Sequence, residues 1–319
     1  MKHFTSVNDV TDVNALVLKA LQHKQDPFRF HEAGKQKTLG LIFMNPSLRT
    51  RLSTQKAAMN LGLSVMVMNM DKEGWALELE DGAVMNVDTV EHIKDAAGVM
   101  GQYCDIIGVR CFASLKNKGT DYAELLLNQL KKYAHVPVVS LESATLHPLQ
   151  SLADMITIQE NNKKNASPKV VLTWAPHVKP LPQAVANSFA QWALASGKNL
   201  TITHPEGMEL DEQFTKGAVI EHNQQKALAD ADFVYVKNWS SYLDYGKAVT
   251  PAKDWLLSPE SMAVTNNAYI MHCLPVRRNL ELSDILIDSE CSLVQQQAAN
   301  RVVAAQTILY ELLNSTARG

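Results

Sequence analysis

The chain is short of several things, and each shortage narrows what it can be. No stretch approaches the roughly 18 uninterrupted apolar residues that a membrane-spanning helix needs. Met1 to Asp9 contain no apolar segment of signal-peptide length. There are only four cysteines, Cys104, Cys111, Cys273 and Cys291. They lack close metal-type pairing and fit a reducing compartment better than a disulfide scaffold. Neither sign of charge dominates: 30 lysines and arginines face 33 acidic residues, which argues against a nucleic-acid surface. No Gly-x-Gly-x-x-Gly follows an apolar run, and no Gly-x-x-x-x-Gly-Lys-Ser/Thr occurs. Dinucleotide and ATP-loop readings therefore lack their usual support. Repeats and low-complexity tracts are also absent. The expectation is a soluble cytoplasmic protein with no membrane or nucleic-acid partner.

What is present is an alternation. With 319 residues, 46% of them hydrophobic, two domains of about 150 residues are expected. Strand-like runs fall at 38–44, 64–70, 105–109 and 136–141, then at 169–174, 199–203, 218–221, 233–237 and 268–271. Helical patterns lie between them at 13–23, 51–61, 92–103 and 121–133, then at 182–194, 211–216 and 224–229. The fold class predicted is α/β: two domains, each with a mainly parallel sheet flanked by helices. Residues 149–162 read as a long helix bridging the domains, followed by a polar break at 161–165. Residues 298–314 read as a second interdomain helix.

The strongest local signal is Ser47-Leu48-Arg49-Thr50-Arg51, directly after the first apolar run. A strand that ends in Asn-Pro-Ser and opens a helix makes an anion socket. Free N–H groups and the helix dipole point at the ligand. Ser47 and Thr50 add hydroxyls, and Arg49 and Arg51 add forks suited to phosphate oxygens. In open α/β sheets, ligands bind beyond the carboxyl ends of strands. Arg110, Glu142 and the turn His147-Pro148-Leu149-Gln150 all fall there. Arg110 suits a second clamp on phosphate or carbonyl. A neutral His147 can donate to a carbonyl, and Gln150 can accept from an amide. Taken singly, Arg110 reads equally as a surface arginine and His147 as a helix cap.

His272-Cys273-Leu274-Pro275 also follows an apolar strand, with Arg277 and Arg278 beyond it. No base can be assigned to Cys273 as a nucleophile, so the motif reads as a substrate-orienting turn. His272 and Cys273 have no partner pair at ligand spacing, and no metal site is expected.

Taken together, Ser47 to Arg51, Arg110, His147 to Gln150, His272 to Pro275 and Arg301 resemble the aspartate and ornithine carbamoyltransferase family across nearly the whole chain. The resemblance implies a carbamoyl-phosphate domain over 1–148, completed by the C-terminal helix 298–319, and an amino-substrate domain over 149–297. It implies direct carbamoyl transfer without cofactor or metal, in a homotrimer whose active sites are shared between subunits. Ser47, Leu48, Arg49, Thr50, Arg110, His147, Gln150, Leu274 and Arg301 are then expected around carbamoyl phosphate, with Trp75 supplied by a neighbouring subunit. A buried packing role is the other reading of Trp75. Arg49, Arg110, His147, Gln150 and Cys273 would carry catalysis.

Within the family the chain looks like the branch that carbamoylates N-acylated ornithine. The stretches that say so are Lys72 to Trp75, Glu142, Trp174 to Pro182 and Lys237-Asn238-Trp239. Ornithine carbamoyltransferases typically carry acidic and polar loops there that receive a free α-ammonium. A proline-rich loop and a lysine suggest an uncharged, acylated α-nitrogen instead. The acyl subsite is expected to use Val90, Glu142, His177, Lys179, Lys237, Cys273, Leu274 and Arg278. Glu142 would receive the α N–H, and Arg278, from a neighbour, the acyl carboxylate with Lys237. Valine at position 90, where the acetyl-specific branch is expected to carry glutamate, favours N-succinylornithine over N-acetylornithine. A merely packing Val90, free ornithine as acceptor, a non-catalytic phosphate-binding paralogue and a nucleotide-binding oxidoreductase are the competing readings.

Overall fold

The computed structural model describes residues 1–162, 167–247 and 253–316. Two parallel sheets organise it. The first joins β1 (Thr38–Phe43), β2 (Ser64–Asn69), β3 (Ile106–Arg110) and β4 (Val138–Glu142) in the order β2-β1-β3-β4. The second joins β5 (Lys169–Trp174), β6 (Asn199–Thr203), β7 (Val219–Glu221), β8 (Phe233–Lys237) and β9 (Tyr269–Met271) in the order β9-β8-β5-β6-β7. The strands of both sheets pair in parallel throughout. The strands β3, β4 and β8 are buried at every residue, as sheets covered on both faces require.

Each order contains one reversal, and a crevice opens where successive crossovers leave on opposite sides. In the first sheet it lies between β1 and β3, in the second between β5 and β8. Helix Leu48–Asn60 follows β1, with the Ser47 side chain accepting from the Thr50 N–H at 3.3 Å. Helix Pro148–Asn161 starts with proline at its first turn and is buried from Pro148 through Ile158. Helix Val294–Thr316 packs on both of those helices. One apolar cluster joins Leu39 and Leu41 of the first sheet to Val170 and Leu172 of the second, through Leu152, Ile156 and Ile308. The halves thus share a core, and the crevice sits at their junction. Among the described residues, no helix is long and apolar enough to cross a membrane.

Three elements differ from the sequence expectation. The helix expected over 121–133 is two, Lys118–Tyr122 and Leu125–Tyr133, broken at Glu124 with φ of +49°. That carboxylate is held by the Ser143 hydroxyl and by the backbone and side chain of Thr145, which pulls the chain out of the helix. The C-terminal helix begins at Val294, a turn earlier than expected. The excursion after β2 contains the short helix Met70–Glu73 and a two-stranded parallel ribbon, Leu77–Glu78 with Glu91–His92. Of the polar break, residues 163–165 lie outside the described residues.

Candidate active site

Both switch points open on one cavity of about 360 Å³. The first sheet delivers Arg110 from the end of β3 and Glu142 from the end of β4. The ladder shifts register between Val109 and Arg110 so that Arg110 lies opposite Glu142, the re-aiming that a bulge provides. The helix after β1 adds Ser47, Leu48, Arg49 and Thr50, and the start of the bridging helix adds His147 and Gln150. From the second sheet come Lys237 at the end of β8 and Cys273 and Leu274 beyond β9, with His177 from the loop after β5. Arg301 reaches in from the C-terminal helix. Among the described residues, the charged walls are four cations, Arg49, Arg110, Lys237 and Arg301, against the single carboxylate of Glu142. Such an excess suits a multiply charged anion.

The cations differ in how they are held. Arg301 is buried; it donates to Gln150 Oε1, and at 2.6 Å to Thr50 Oγ1. The Thr50 hydroxyl thereby keeps its own proton free to donate. Arg110 donates to Glu142 and stacks over Phe112, its guanidinium carbon 4.1 Å from the ring centroid. Lys237 is buried and donates to the Asn238 carbonyl at 2.9 Å. Arg49 is half-buried and has no hydrogen-bond or ion-pair partner among the described residues. Burial lowers its pKa, with Cys273 and Glu142 opposing the shift and Arg110 adding to it.

Burial raises the Glu142 carboxyl, while Arg110 pulls it the other way. His147 Nε2 faces the same carboxylate at 3.4 Å, and its Nδ1 has no partner among the described residues. Burial, with Arg301 and Arg110 close by, holds His147 well below the usual imidazole range, so it is neutral at pH 7. Burial likewise raises the Cys273 thiol, against the pull of Lys237. At neutral pH it is a protonated thiol, not an activated nucleophile. Leu274 follows in the left-handed region with φ of +55°, its N–H donating to His272 Nδ1 at 2.9 Å.

Arg51, Trp75, Val90, Lys179 and Arg278 stand outside the cavity, whereas Glu142 and Gln150 line it with protein partners already in place. Arg51 is turned from the cavity and donates to Asn69. Glu142, expected to receive a substrate N–H, is engaged by Arg110 and His147, because a buried carboxylate requires a compensating partner. Gln150 gives its oxygen to Arg301 and its amide to Asp154 at 2.7 Å. Lys179 does not line the cavity; its backbone bonds His177. Arg278 is on the surface, paired with Asp284 and Asp288 at 2.7–2.9 Å. Val90 is 65% exposed and Trp75 55% exposed; neither lines this cavity. The Trp75 indole donates to Glu91 at 2.9 Å and borders a separate apolar hollow. A buried packing role for Trp75 is therefore excluded.

The sequence reading missed what stands behind the wall. Gln297, a turn before Arg301, accepts from the His272 N–H at 2.9 Å and donates to Asp154 at 2.7 Å. The i,i+4 spacing of Gln150 and Asp154 on an apolar helix was the available signal for Asp154. Nothing in the sequence marked Glu281, whose carboxylate faces His272 Nε2 at 3.7 Å.

Comparison with known proteins adds the following. Residues 2–160 match the model "Aspartate/ornithine carbamoyltransferase, carbamoyl-P binding domain", and residues 182–312 match "Aspartate/ornithine carbamoyltransferase, Asp/Orn binding domain". The chain is 51% identical over 315 residues to an N-succinylornithine carbamoyltransferase of Bacteroides thetaiotaomicron, covering 98% of this chain and 99% of that one. It is 34% identical to an N-acetylornithine carbamoyltransferase of Xylella fastidiosa, covering 98% of each. Among solved structures it resembles a glutamate-to-valine variant of an N-acetyl-L-ornithine transcarbamylase complexed with carbamyl phosphate and N-succinyl-L-norvaline. The TM-score is 0.91 and the identity 33%, over 98% of this chain and 100% of that one.

Proposed function

The chain belongs to the aspartate/ornithine carbamoyltransferase family, and on that premise we propose that it moves the carbamoyl group of carbamoyl phosphate to the δ-amine of N-succinyl-L-ornithine. The products are N-succinyl-L-citrulline and phosphate, a step of arginine biosynthesis in the cytoplasm. The observation that carries this reading is the cavity itself, with four cations facing one carboxylate where the two sheets meet.

The helix start at Ser47 to Thr50, with Arg49 and Arg110, receives the phosphate. Negative charge grows on that phosphate as the C–O bond breaks, so cations fixed beforehand favour the transition state over the ground state. His147 and Arg110 polarise the carbonyl, and Gln150 orients the carbamoyl amide. The neutral δ-amine attacks directly, oriented by Cys273 and the Leu274 carbonyl. A thiol that burial keeps protonated supports this over a carbamoyl-thioester route. The proposed reaction uses no metal and no cofactor. Phosphate itself takes the proton that the amine loses.

Residues 1–148 with 298–319 form the carbamoyl-phosphate domain in this reading, and 149–297 the acylated-ornithine domain. Lys237 and His177 line the acylated-ornithine side, with Lys179 close by. The working unit is a homotrimer. The exposure of Trp75 and Val90 and the surface position of Arg278 support their action on a neighbour's site. The absence of a glutamate at position 90 supports succinyl over acetyl, as does the relative's valine variant bound to N-succinyl-L-norvaline.

Parallel assays of carbamoyl phosphate with ornithine, N-acetylornithine and N-succinylornithine test the proposal. The highest kcat/KM is expected with N-succinylornithine. A preference for N-acetylornithine refutes the succinyl assignment but keeps the transferase, and no transfer to any of the three refutes both.

A further inference from the structure

We infer that Glu124 is a positioning residue that sets His147 from outside the cavity, by gripping the turn that carries the imidazole to the carbamoyl carbonyl. The inference rests on the carbamoyl-transfer reading and adds to it a carboxylate that does not line the cavity.

The turn runs from Ser143 to Leu146, between the last residue of β4 and His147. Its hydroxyl residues are buried, Ser143 being 1% and Thr145 7% exposed. Glu124 Oε1 takes three bonds from it: from the Ser143 hydroxyl at 2.6 Å, the Thr145 hydroxyl at 2.6 Å and the Thr145 N–H at 2.8 Å. Asn187 of helix Ala184–Ala195 adds one longer bond, to the Thr145 carbonyl at 3.2 Å. A hydroxyl has one proton, so a Ser143 committed to Glu124 keeps its lone pairs for the Leu146 N–H, which it accepts at 3.2 Å. The Ser143 N–H closes the turn on the Leu146 carbonyl at 2.8 Å. Glu124 itself stands at φ of +49° between two helices, a conformation that a residue other than glycine holds only where its surroundings fix it. The bonds to the turn are what fix it.

His147 needs such an outside hold. Its Nδ1 has no partner among the described residues, and its Nε2 meets Glu142 at 3.4 Å, too long for a strong hydrogen bond. The place of the ring therefore follows the main chain, and the main chain follows the turn. Glu142 and His147 sit at the two ends of that turn, so its shape also spaces them. The other groups of the carbamoyl side are held separately. Gln150 is fixed by Arg301 and Asp154, and Arg49 and Arg110 come from other elements. Loosening the turn thus moves the group that polarises the carbonyl and leaves the phosphate socket in place. The socket already binds in the ground state, whereas carbonyl polarisation counts most as charge develops. Glu124 therefore acts on kcat and hardly on the binding of carbamoyl phosphate.

The test uses the full chain, with carbamoyl phosphate and its preferred acylated ornithine, and the variants Glu124→Ala, Glu124→Gln, His147→Asn and Glu124→Ala with His147→Asn. Glu124→Ala should lower kcat between about tenfold and a hundredfold, the upper end being what a misplacement of about 1 Å costs. Glu124→Gln keeps an oxygen for the turn and should recover most of that loss. Carbamoyl phosphate affinity, measured by calorimetry, should stay within about threefold of the parent in both, which a general loss of structure would not allow. In the His147→Asn background, Glu124→Ala should cost less than about threefold, because the group it positions is already gone. A kcat for Glu124→Ala within about twofold of the parent overturns the inference. So do an equal loss with and without His147, an affinity that falls as far as kcat, and a Glu124→Gln enzyme no faster than Glu124→Ala. Should Glu124→Ala fail to fold, Ser143→Ala with Thr145→Val decides alone. That pair removes both hydroxyl donors and keeps the Thr145 N–H, and parental turnover by it is a refutation. If the parent chain itself transfers no carbamoyl group, the functional reading fails and this inference falls with it. If the parent transfers and the variants match it, only the inference is lost.

Discussion

Removing Arg49 is the sharpest test of the phosphate assignment. Its guanidinium is half-buried at the cavity and is bonded to nothing else among the described residues. Arg49→Ala thus deletes a charge without leaving a protein group unsatisfied. A unit charge about 4 Å from the departing phosphate contributes about 4 kcal/mol at an effective dielectric of 20. Partial exposure cuts this to about 3 kcal/mol, roughly a hundredfold in rate. Initial rates with carbamoyl phosphate and N-succinylornithine should therefore show kcat/KM lower by about a hundredfold or more. The melting temperature and the oligomer, read by calorimetry and light scattering, should match the parent. A variant within tenfold of parental kcat/KM, properly assembled, would mean that Arg49 does not meet the phosphate.

The other expected outcomes are these. Arg301→Met removes the donors to Gln150 and Thr50 inside a buried site; it should cost about 2–4 kcal/mol of stability in denaturant titration as well as activity, and a change in activity alone would contradict that. The folded His147 pKa lies well below its unfolded value near 6.5. The unfolded chain therefore binds more protons as pH falls through that window, and His147 takes up to about 1.4 kcal/mol of stability per pH unit with it. The melting temperature of His147→Asn should fall less between pH 7.5 and 5.5 than that of the parent, and an equal fall would rule out a neutral buried His147. Val90→Glu should move preference from N-succinylornithine towards N-acetylornithine in competition assays; an unchanged ratio leaves Val90 as loop packing. Mixing inactive Trp75→Ala and Arg49→Ala subunits should restore part of the activity if sites are shared, and well-assembled mixed oligomers without activity would count against sharing.

Much of the fold was legible because the strands β3, β4 and β8 are buried at every residue and read as short apolar runs between helical patterns. The ends of those runs then carried most of the site, since a parallel sheet exposes its functional groups at its carboxyl edge. What escaped had a common cause. The break at Glu124 follows from its bonds to Ser143 and Thr145, some twenty residues away. The diversion of Arg51 to Asn69 depends on where β2 ends. Asp154, Gln297 and Glu281 are polar residues whose partners come from other elements. Periodicity reports the face a residue occupies; it does not report which distant group will satisfy it.

The same distinction bears on how the cations are divided. Arg301 and Arg110 have protein partners, and their forks are set before any ligand arrives. Arg49 has none among the described residues, and Lys237 holds only a backbone carbonyl. An arginine with two hydrogen-bonded partners costs little to reorganise when charge develops nearby. A cation without a carboxylate keeps its full attraction for an anionic ligand, because no internal charge has to be displaced first. Arg110, Arg301 and Arg49 stand on the carbamoyl-phosphate side of the crevice and Lys237 on the other, so the cavity is stiff where carbamoyl phosphate must be aligned and keeps an uncompensated cation on each side to draw anionic groups in. This predicts that salt will raise KM for both substrates more than it lowers kcat. Raising ionic strength from about 0.01 to 0.15 M shortens the screening length from about 30 to 8 Å, which weakens capture while the short contacts of the bound state persist. A salt effect confined to kcat would show that the unpaired cations serve the chemical step and not the capture of the ligands.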